Sequence, residues 1–155
     1  MATPEDILEQ LGTTLPKTDR KGKGVILVRQ VGNLLFLSGH GCTLANGELT
    51  YKGKVGLDLT IEEGYQAARQ CGIRLLATLK DHLGTLDRVE KIVKVLGFVN
   101  SCPDFCNQPE VMHGFSDLMT EVFGARGQHA RSAIGAVALP ANQAVEIEMI
   151  VEIRP

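Results

Sequence analysis

The chain contains no tryptophan, two tyrosines and five phenylalanines, so its core must be built largely from aliphatic side chains. Neither sign of charge dominates: 16 lysines and arginines stand against 18 aspartates and glutamates, a formal net charge of -2. That balance supplies no global attraction to nucleic acid or to an anionic membrane. One basic cluster, Lys17-Thr18-Asp19-Arg20-Lys21-Gly22-Lys23, is local. No aromatic residue is interleaved in it for base stacking, so it reads as a solvated loop. No apolar run approaches the roughly 20 residues of a membrane span, and the N-terminus lacks the charged-then-apolar pattern of a signal peptide. The expectation is a cytoplasmic protein with neither nucleic acid nor membrane as a partner. In that reducing compartment the four cysteines, Cys42, Cys71, Cys102 and Cys106, are free thiols by default. Cys102 and Cys106, with His113 nearby, make at most half a metal site, and the fragment between them reads as a turn, so no metal is expected.

What is present is an ordinary globular composition, 44% apolar and 22% charged. A chain of 155 residues is most simply one domain over 1–155, able to bury roughly two-thirds of its unfolded surface. Thr3-Pro4-Glu5-Asp6 opens a short helix that ends at Gly12. A polar connector over 13–23 follows. Val25 to Val31 and Leu34 to Ser38 are extended runs broken by Gly32-Asn33, a hairpin signal. Ser38-Gly39-His40-Gly41 is too glycine-rich to continue a strand, so a turn with exposed amides is expected there. The segment from Leu44 to Leu57 looks like a loop or small hairpin. Thr60-Ile61-Glu62-Glu63 is a capping box for a long helix through Leu83, closed by Gly84. Arg88 to Val99 is apolar enough for a central strand. Asn107-Gln108-Pro109-Glu110 caps a second long helix ended by Gly124, and Ser132 to Leu139 and Ala144 to Ile153 are strands. This order argues for an α/β or α+β sandwich with both long helices on one face of a single sheet. The other face then needs a cover, and further copies of the chain are a natural one.

Arg131 places a permanent cation at the mouth of an apolar strand, and Glu146 lies fifteen positions on, in the next strand. A guanidinium near a core edge needs an anion, either from the protein (Asp117 and Glu121 are the candidates) or from a ligand. If the last two strands formed a simple hairpin about 140–142, Arg131 would lie more than about 15 Å along the strand from Glu146, too far for one small ligand. Either the two strands are not neighbours, or the two residues meet across chains. For Glu146 and Glu148 the alternative is the solvated face of an alternating strand. His40 is suited to proton transfer but also to a plain hydrogen-bonded role in a loop.

The string Ala130-Arg131-Ser132-Ala133, Leu139-Pro140, Val145-Glu146-Ile147-Glu148 resembles the signature of the RidA family, reactive intermediate deaminases also known as endoribonuclease L-PSP proteins. Gly32-Asn33 with Leu37-Ser38-Gly39 is similar to that family's first hairpin. Phe98-Val99 with Asp104-Phe105 is similar to its strand and turn before the second helix. The resemblance covers Gly24 to Ile153 and leaves 1–23 as an added N-terminal helix and connector. It implies an α+β, chorismate-mutase-like βαβαββ fold, with one mixed sheet and two helices on one face. It also implies a homotrimer with ligand clefts between subunits and no metal or organic cofactor. In the family, the arginine matching Arg131 holds the carboxylate of a short 2-imino or 2-enamino acid such as 2-aminoacrylate. The glutamate matching Glu146 orients a water together with the backbone carbonyl matching Ala133, and hydrolysis yields a 2-keto acid and ammonia.

The resemblance therefore implies Arg131 and Glu146 as catalytic residues and Ser38, Gly39, His40 and Ala133 as substrate-binding ones. The chain departs from the family at Val25, where tyrosine is frequent, at Ala133, where cysteine is frequent, and at His40, where glutamine is common. The stretch from Phe105 to Arg131 is a few residues longer, so no pocket residue borne on the second long helix is carried over. The leading expectation is a deaminase of 2-imino acids. A non-catalytic trimer that binds small carboxylates is the alternative, and a ribonuclease or translation inhibitor fits the charge and the aromatic content less well.

Overall fold

The computed structural model describes residues 1–18, 22–44 and 46–155. Asp19, Arg20 and Lys21 of the basic cluster, and Ala45 in the Leu44 to Leu57 segment, lie outside the described residues. Thr3 caps α1 (Pro4–Gln10) by the reciprocal bonds the sequence predicts: its hydroxyl accepts from the Asp6 amide, and the Asp6 carboxylate accepts from the Thr3 amide. Leu8 is buried, and the Glu5 carboxylate accepts from the Leu86 amide, which fastens this helix to the body of the fold.

β1 (Val28–Val31) and β2 (Leu34–Gly41) form the hairpin about Gly32-Asn33, with Gly32 at φ +57 as that tight connection requires. The expected turn at Ser38-Gly39-His40-Gly41 is corrected: the strand continues through Gly41, with a bulge between Leu37 and His40. Ladder pairing of His40 with Ile147 and of Gly41 with Glu146 holds the glycine-rich stretch extended, which outweighs its local freedom. α2 (Ile61–Leu83) has the predicted capping box at Thr60 and Glu63 and ends at Gly84. β3 (Val89–Asn100) follows a single 3-10 turn. α3 (Gln108–Phe123) starts where expected, but Asn107 makes no side-chain cap; the Gln108 amide reaches the Phe105 carbonyl instead. β4 (Ala130–Ala136) begins and ends earlier than the sequence suggests, and β5 (Val145–Ile153) closes the fold.

The strands form one sheet in the order β1-β2-β5-β3-β4, with β3 and β4 parallel and the other pairs antiparallel. Val95, Val99, Val145, Ile147, Met149 and Val151 form its buried, helix-covered side. Two glycines set how closely α3 approaches its neighbours. A Cβ on Gly114 would lie 1.9 Å from the Tyr65 carbonyl oxygen of α2, and one on Gly97 of β3 would lie 2.2 Å from the Met112 sulfur. Beside that crossing the Tyr65 hydroxyl donates to Asp117 (2.7 Å), and Arg69 pairs with Glu121 (2.7 Å). The opposite face of the sheet carries Phe36, Leu96, Phe98, Ile134 and Ile150, of which Phe36 and Ile134 are more than 40% exposed. Among the described residues no helix is long and apolar enough to cross a membrane.

The Gly114 contact reverses the usual helix rule. Alanine normally favours a helix over glycine by about 1 kcal/mol. Here the added methyl has only a backbone carbonyl to displace, so Gly114→Ala should destabilise the fold by about 1–3 kcal/mol in urea unfolding. An unchanged or raised midpoint would show that the helices do not touch there. The hydrogen bond to Asp117 chiefly accounts for the Tyr65 hydroxyl being pushed up to about 12. Asp117→Asn should return the Tyr65 phenolate transition toward about 10 in an ultraviolet titration. No shift would remove the assigned bond.

Candidate functional site

Arg131 sits on the edge strand β4. Its Cα partner on β3 is Val95, whose own partner on β5 is Met149, and both are buried beneath the helices. Arg131 therefore leaves the sheet toward α3. Its Nη1 donates to Ser116 Oγ (3.0 Å) and to His113 Nδ1 (3.2 Å). An arginine only donates, so His113 accepts here, and the proton of its neutral ring sits on Nε2. Both hydrogens of Nη1 are thus spent on neutral acceptors. The Nε–Nη2 edge, the fork that matches a carboxylate, makes no hydrogen bond among the described residues.

The two acids that could neutralise Arg131 are engaged elsewhere, Asp117 by Tyr65 and Glu121 by Arg69, and Arg131 makes no salt bridge among the described residues. Burial lowers its pKa, with Asp117 opposing the shift at longer range, and the group remains a cation. Ala133 lies two residues on along the same side of β4, opposite Gly97 of β3. Behind Ser116 stands His129, whose Nε2 lies 2.9 Å from the hydroxyl and whose Nδ1 lies 2.6 Å from the Gly127 carbonyl.

Glu146 belongs to a second group. It alternates with the buried Val145 and Ile147, so it leaves the sheet on the side away from the helices, opposite Gly41 on β2 and Phe98 on β3. The bulge in β2 brings Gly39 against it: a Cβ there would lie 3.0 Å from Oε1 and 3.2 Å from Cγ. Gly39, His40, Thr78, Arg74, Gln143 and Glu146 help to line one cavity of about 290 Å³, beside β2 where β1 has already ended. Ser38 and His40 brace that wall. The Ser38 hydroxyl donates to the Ile26 carbonyl, and its amide donates to Leu27. His40 is only 4% exposed and is bonded at both ring nitrogens, Nδ1 donating to the Ser38 carbonyl and Nε2 lying 2.8 Å from Thr78 Oγ1.

The structure thus brings Ser38, Gly39, His40 and Glu146 together, and Arg131 with Ala133, but does not bring the two groups together within one chain. β3 lies between β4 and β5, so the strands are not neighbours, the first of the two options left by the spacing argument. Two strand spacings and three residues separate Arg131 from Glu146, roughly 14 Å between Cα atoms, and the side chains leave opposite faces. Sequence reasoning missed His113, Ser116, His129, Arg74 and Gln143. A faint signal existed on α3, where His113 and Ser116 are polar residues one turn apart beside an apolar stripe.

Residues 13–153 match the family described as "YjgF/chorismate_mutase-like, putative endoribonuclease". The chain is 37% identical over 154 residues to "Protein TCP17" of Trypanosoma cruzi, covering 94% of this chain and 91% of the relative. Its backbone superposes with a TM-score of 0.90 on the protein Atu1372 of Agrobacterium tumefaciens, a protein of unknown function. That match has 38% identity and covers 97% of this chain and 92% of the other. A "putative endoribonuclease" from Shewanella oneidensis gives 0.93 at 32% identity, over 98% and 100% of the two chains. The α+β layering and the mixed five-stranded sheet agree with the family match over nearly the whole chain, and this protein is a member of the YjgF/RidA family.

Proposed function

We propose that this protein hydrolyses short 2-imino or 2-enamino acids to 2-keto acids and ammonia, in clefts formed between copies of the chain. The observation that carries this reading is Arg131, a half-buried guanidinium that among the described residues is held only by neutral acceptors, with its carboxylate-matching edge making no bond to them. A ligand carboxylate on that edge supplies the missing anion in bidentate geometry. Glu146 of a second copy then orients a water, or takes its proton, for attack on the imine carbon. A C–O bond forms, the C–N bond breaks, the nitrogen leaves as ammonia, and water is the only co-reactant. Gly39 gives the carboxylate of Glu146 close backbone support, which fixes it for that role. The apolar face of Phe36, Leu96, Phe98, Ile134 and Ile150 supports assembly into the family's homotrimer, since its burial among copies removes it from water.

Arg131→Ala should abolish both turnover of freshly generated 2-aminoacrylate and saturable binding of 2-ketobutyrate. Glu146→Gln should keep the binding and lose about 100-fold or more in turnover, as expected when a general base is removed. Wild-type ammonia release equal to buffer, with binding intact, would leave a carboxylate-binding trimer and remove the enzyme. RNA incubated alongside should stay whole. Sedimentation should give three chains at micromolar concentration, and a stable monomer that still turns over substrate would overturn the shared cleft.

A further inference from the structure

Three hydrogen bonds run in line behind Arg131, and their directions follow from which atoms own protons. The Gly127 carbonyl can only accept, so His129 Nδ1 carries a hydrogen and donates to it (2.6 Å). In the neutral ring Nε2 is then bare and accepts from the Ser116 hydroxyl (2.9 Å). The Ser116 oxygen in turn accepts from Arg131 Nη1 (3.0 Å). Every donor in the line is used, and the Ser116 hydroxyl hydrogen points away from the guanidinium. His129 is further fixed by an edge-on contact with the buried ring of Phe115 (centroids 5.6 Å apart).

Resting on the carboxylate-binding reading of Arg131, we propose that His129 is a positioning residue that couples ligand binding to proton uptake, through Ser116. When His129 gains a proton, Nε2 becomes a donor to Ser116 Oγ. That oxygen can accept from both His129 and Arg131, so its own hydrogen is released. The freed hydroxyl turns toward the anion held by Arg131 and donates to it. The new imidazolium charge also lies behind the guanidinium, in the partly buried layer between α3 and β4. Both changes favour a bound carboxylate.

The coupling runs equally in the other direction. An anion on Arg131 cancels the positive charge that, after burial, helps keep His129 neutral. Binding therefore raises the affinity of His129 for a proton, and affinity for the ligand rises as pH falls. The charged and titratable groups around His129 leave this balance to Arg131. On α3, His113 accepts from Arg131 and Asp117 is held by Tyr65. In the turn before β4, Arg126 is bound to the Val89 carbonyl and Asp87; on β3, Lys94 donates to Ser132.

Isothermal calorimetry of 2-ketobutyrate, in two buffers of different ionisation enthalpy, tests the idea across about pH 7.5 to 5.5, where the ligand carboxyl stays ionised. The wild-type Kd should fall about three- to tenfold over that range, with net proton uptake on binding. His129→Gln keeps an acceptor for Ser116 but cannot titrate, so it should bind with a flatter pH profile and no such uptake. In nitrogen-detected NMR the His129 ring should show the proton on Nδ1, and its midpoint should move up with ligand. Saturable binding whose pH profile and proton count are the same in wild type and His129→Gln would overturn this inference alone. No saturation at any pH would overturn it together with the reading of Arg131.

Discussion

Everything at the Arg131 end depends on how closely α3 lies to its two neighbours. The helix approaches α2 until the Gly114 backbone meets the Tyr65 carbonyl, and it rests on β3 where Gly97 leaves room for Met112. Neither contact admits a side-chain carbon without displacement: toward α2 the obstacle is backbone, and toward β3 it is the Met112 side chain lying across Gly97. Its polar residues His113 and Ser116 consequently reach Arg131 on the adjoining strand. The apolar packing beneath them, of Phe115, Leu118 and Met119, supplies the stability. The two glycines supply the placement.

The same crossing also governs the local charges. Asp117 and Glu121 project from α3 on the side that faces α2, where Tyr65 and Arg69 engage them. Had either acid turned toward β4, it could have neutralised Arg131 within its own chain. The exposed Arg69–Glu121 pair itself adds little stability, of order 0–1 kcal/mol. Its consequence is instead to keep a carboxylate away from the guanidinium, so that among the described residues the half-buried cation donates only to neutral acceptors.

Much of the fold was legible because it was written in short-range signals. The Thr3 and Thr60 capping boxes, Gly32-Asn33, and the closing glycines Gly84 and Gly124 each act within a turn of chain, and each element appears where those signals lie. The reading failed at Ser38 to Gly41, where a partner distant in sequence decides, and at Asn107, where the bonds formed are local but different ones. Ser38 to Gly41 has the composition of a turn, yet β5 pairs with it and makes it strand. Asn107 has the chemistry of a cap, yet Gln108 meets the Phe105 carbonyl next to it and Asn107 itself caps nothing. At the candidate site the expectation of Arg131 and Glu146 came from the resemblance of the C-terminal string to the family signature, which lies in two short stretches of sequence. His113, Ser116 and His129 could not be read there, since what makes them neighbours of Arg131 is the depth to which α3 settles.

The arrangement of the two groups has an electrostatic consequence of its own. Arg131 and Glu146 carry opposite charges and emerge on opposite faces of one sheet, with β3 between their strands. Within a chain they cannot cancel each other. Between copies, an assembly that apposes the two groups gains attraction before any ligand arrives. Under the proposed function such an apposition would also let Glu146 compete with a ligand carboxylate for the guanidinium. Gly39 bears on that competition. Its backbone lies close to the Glu146 side chain near Cγ and Oε1, so that side chain packs on its own sheet. In the proposed shared cleft, a glutamate packed on its own sheet and an arginine held by its own chain would leave a gap between unlike charges, and a small acid with an electrophilic carbon next to its carboxylate would have the polarity to fill it.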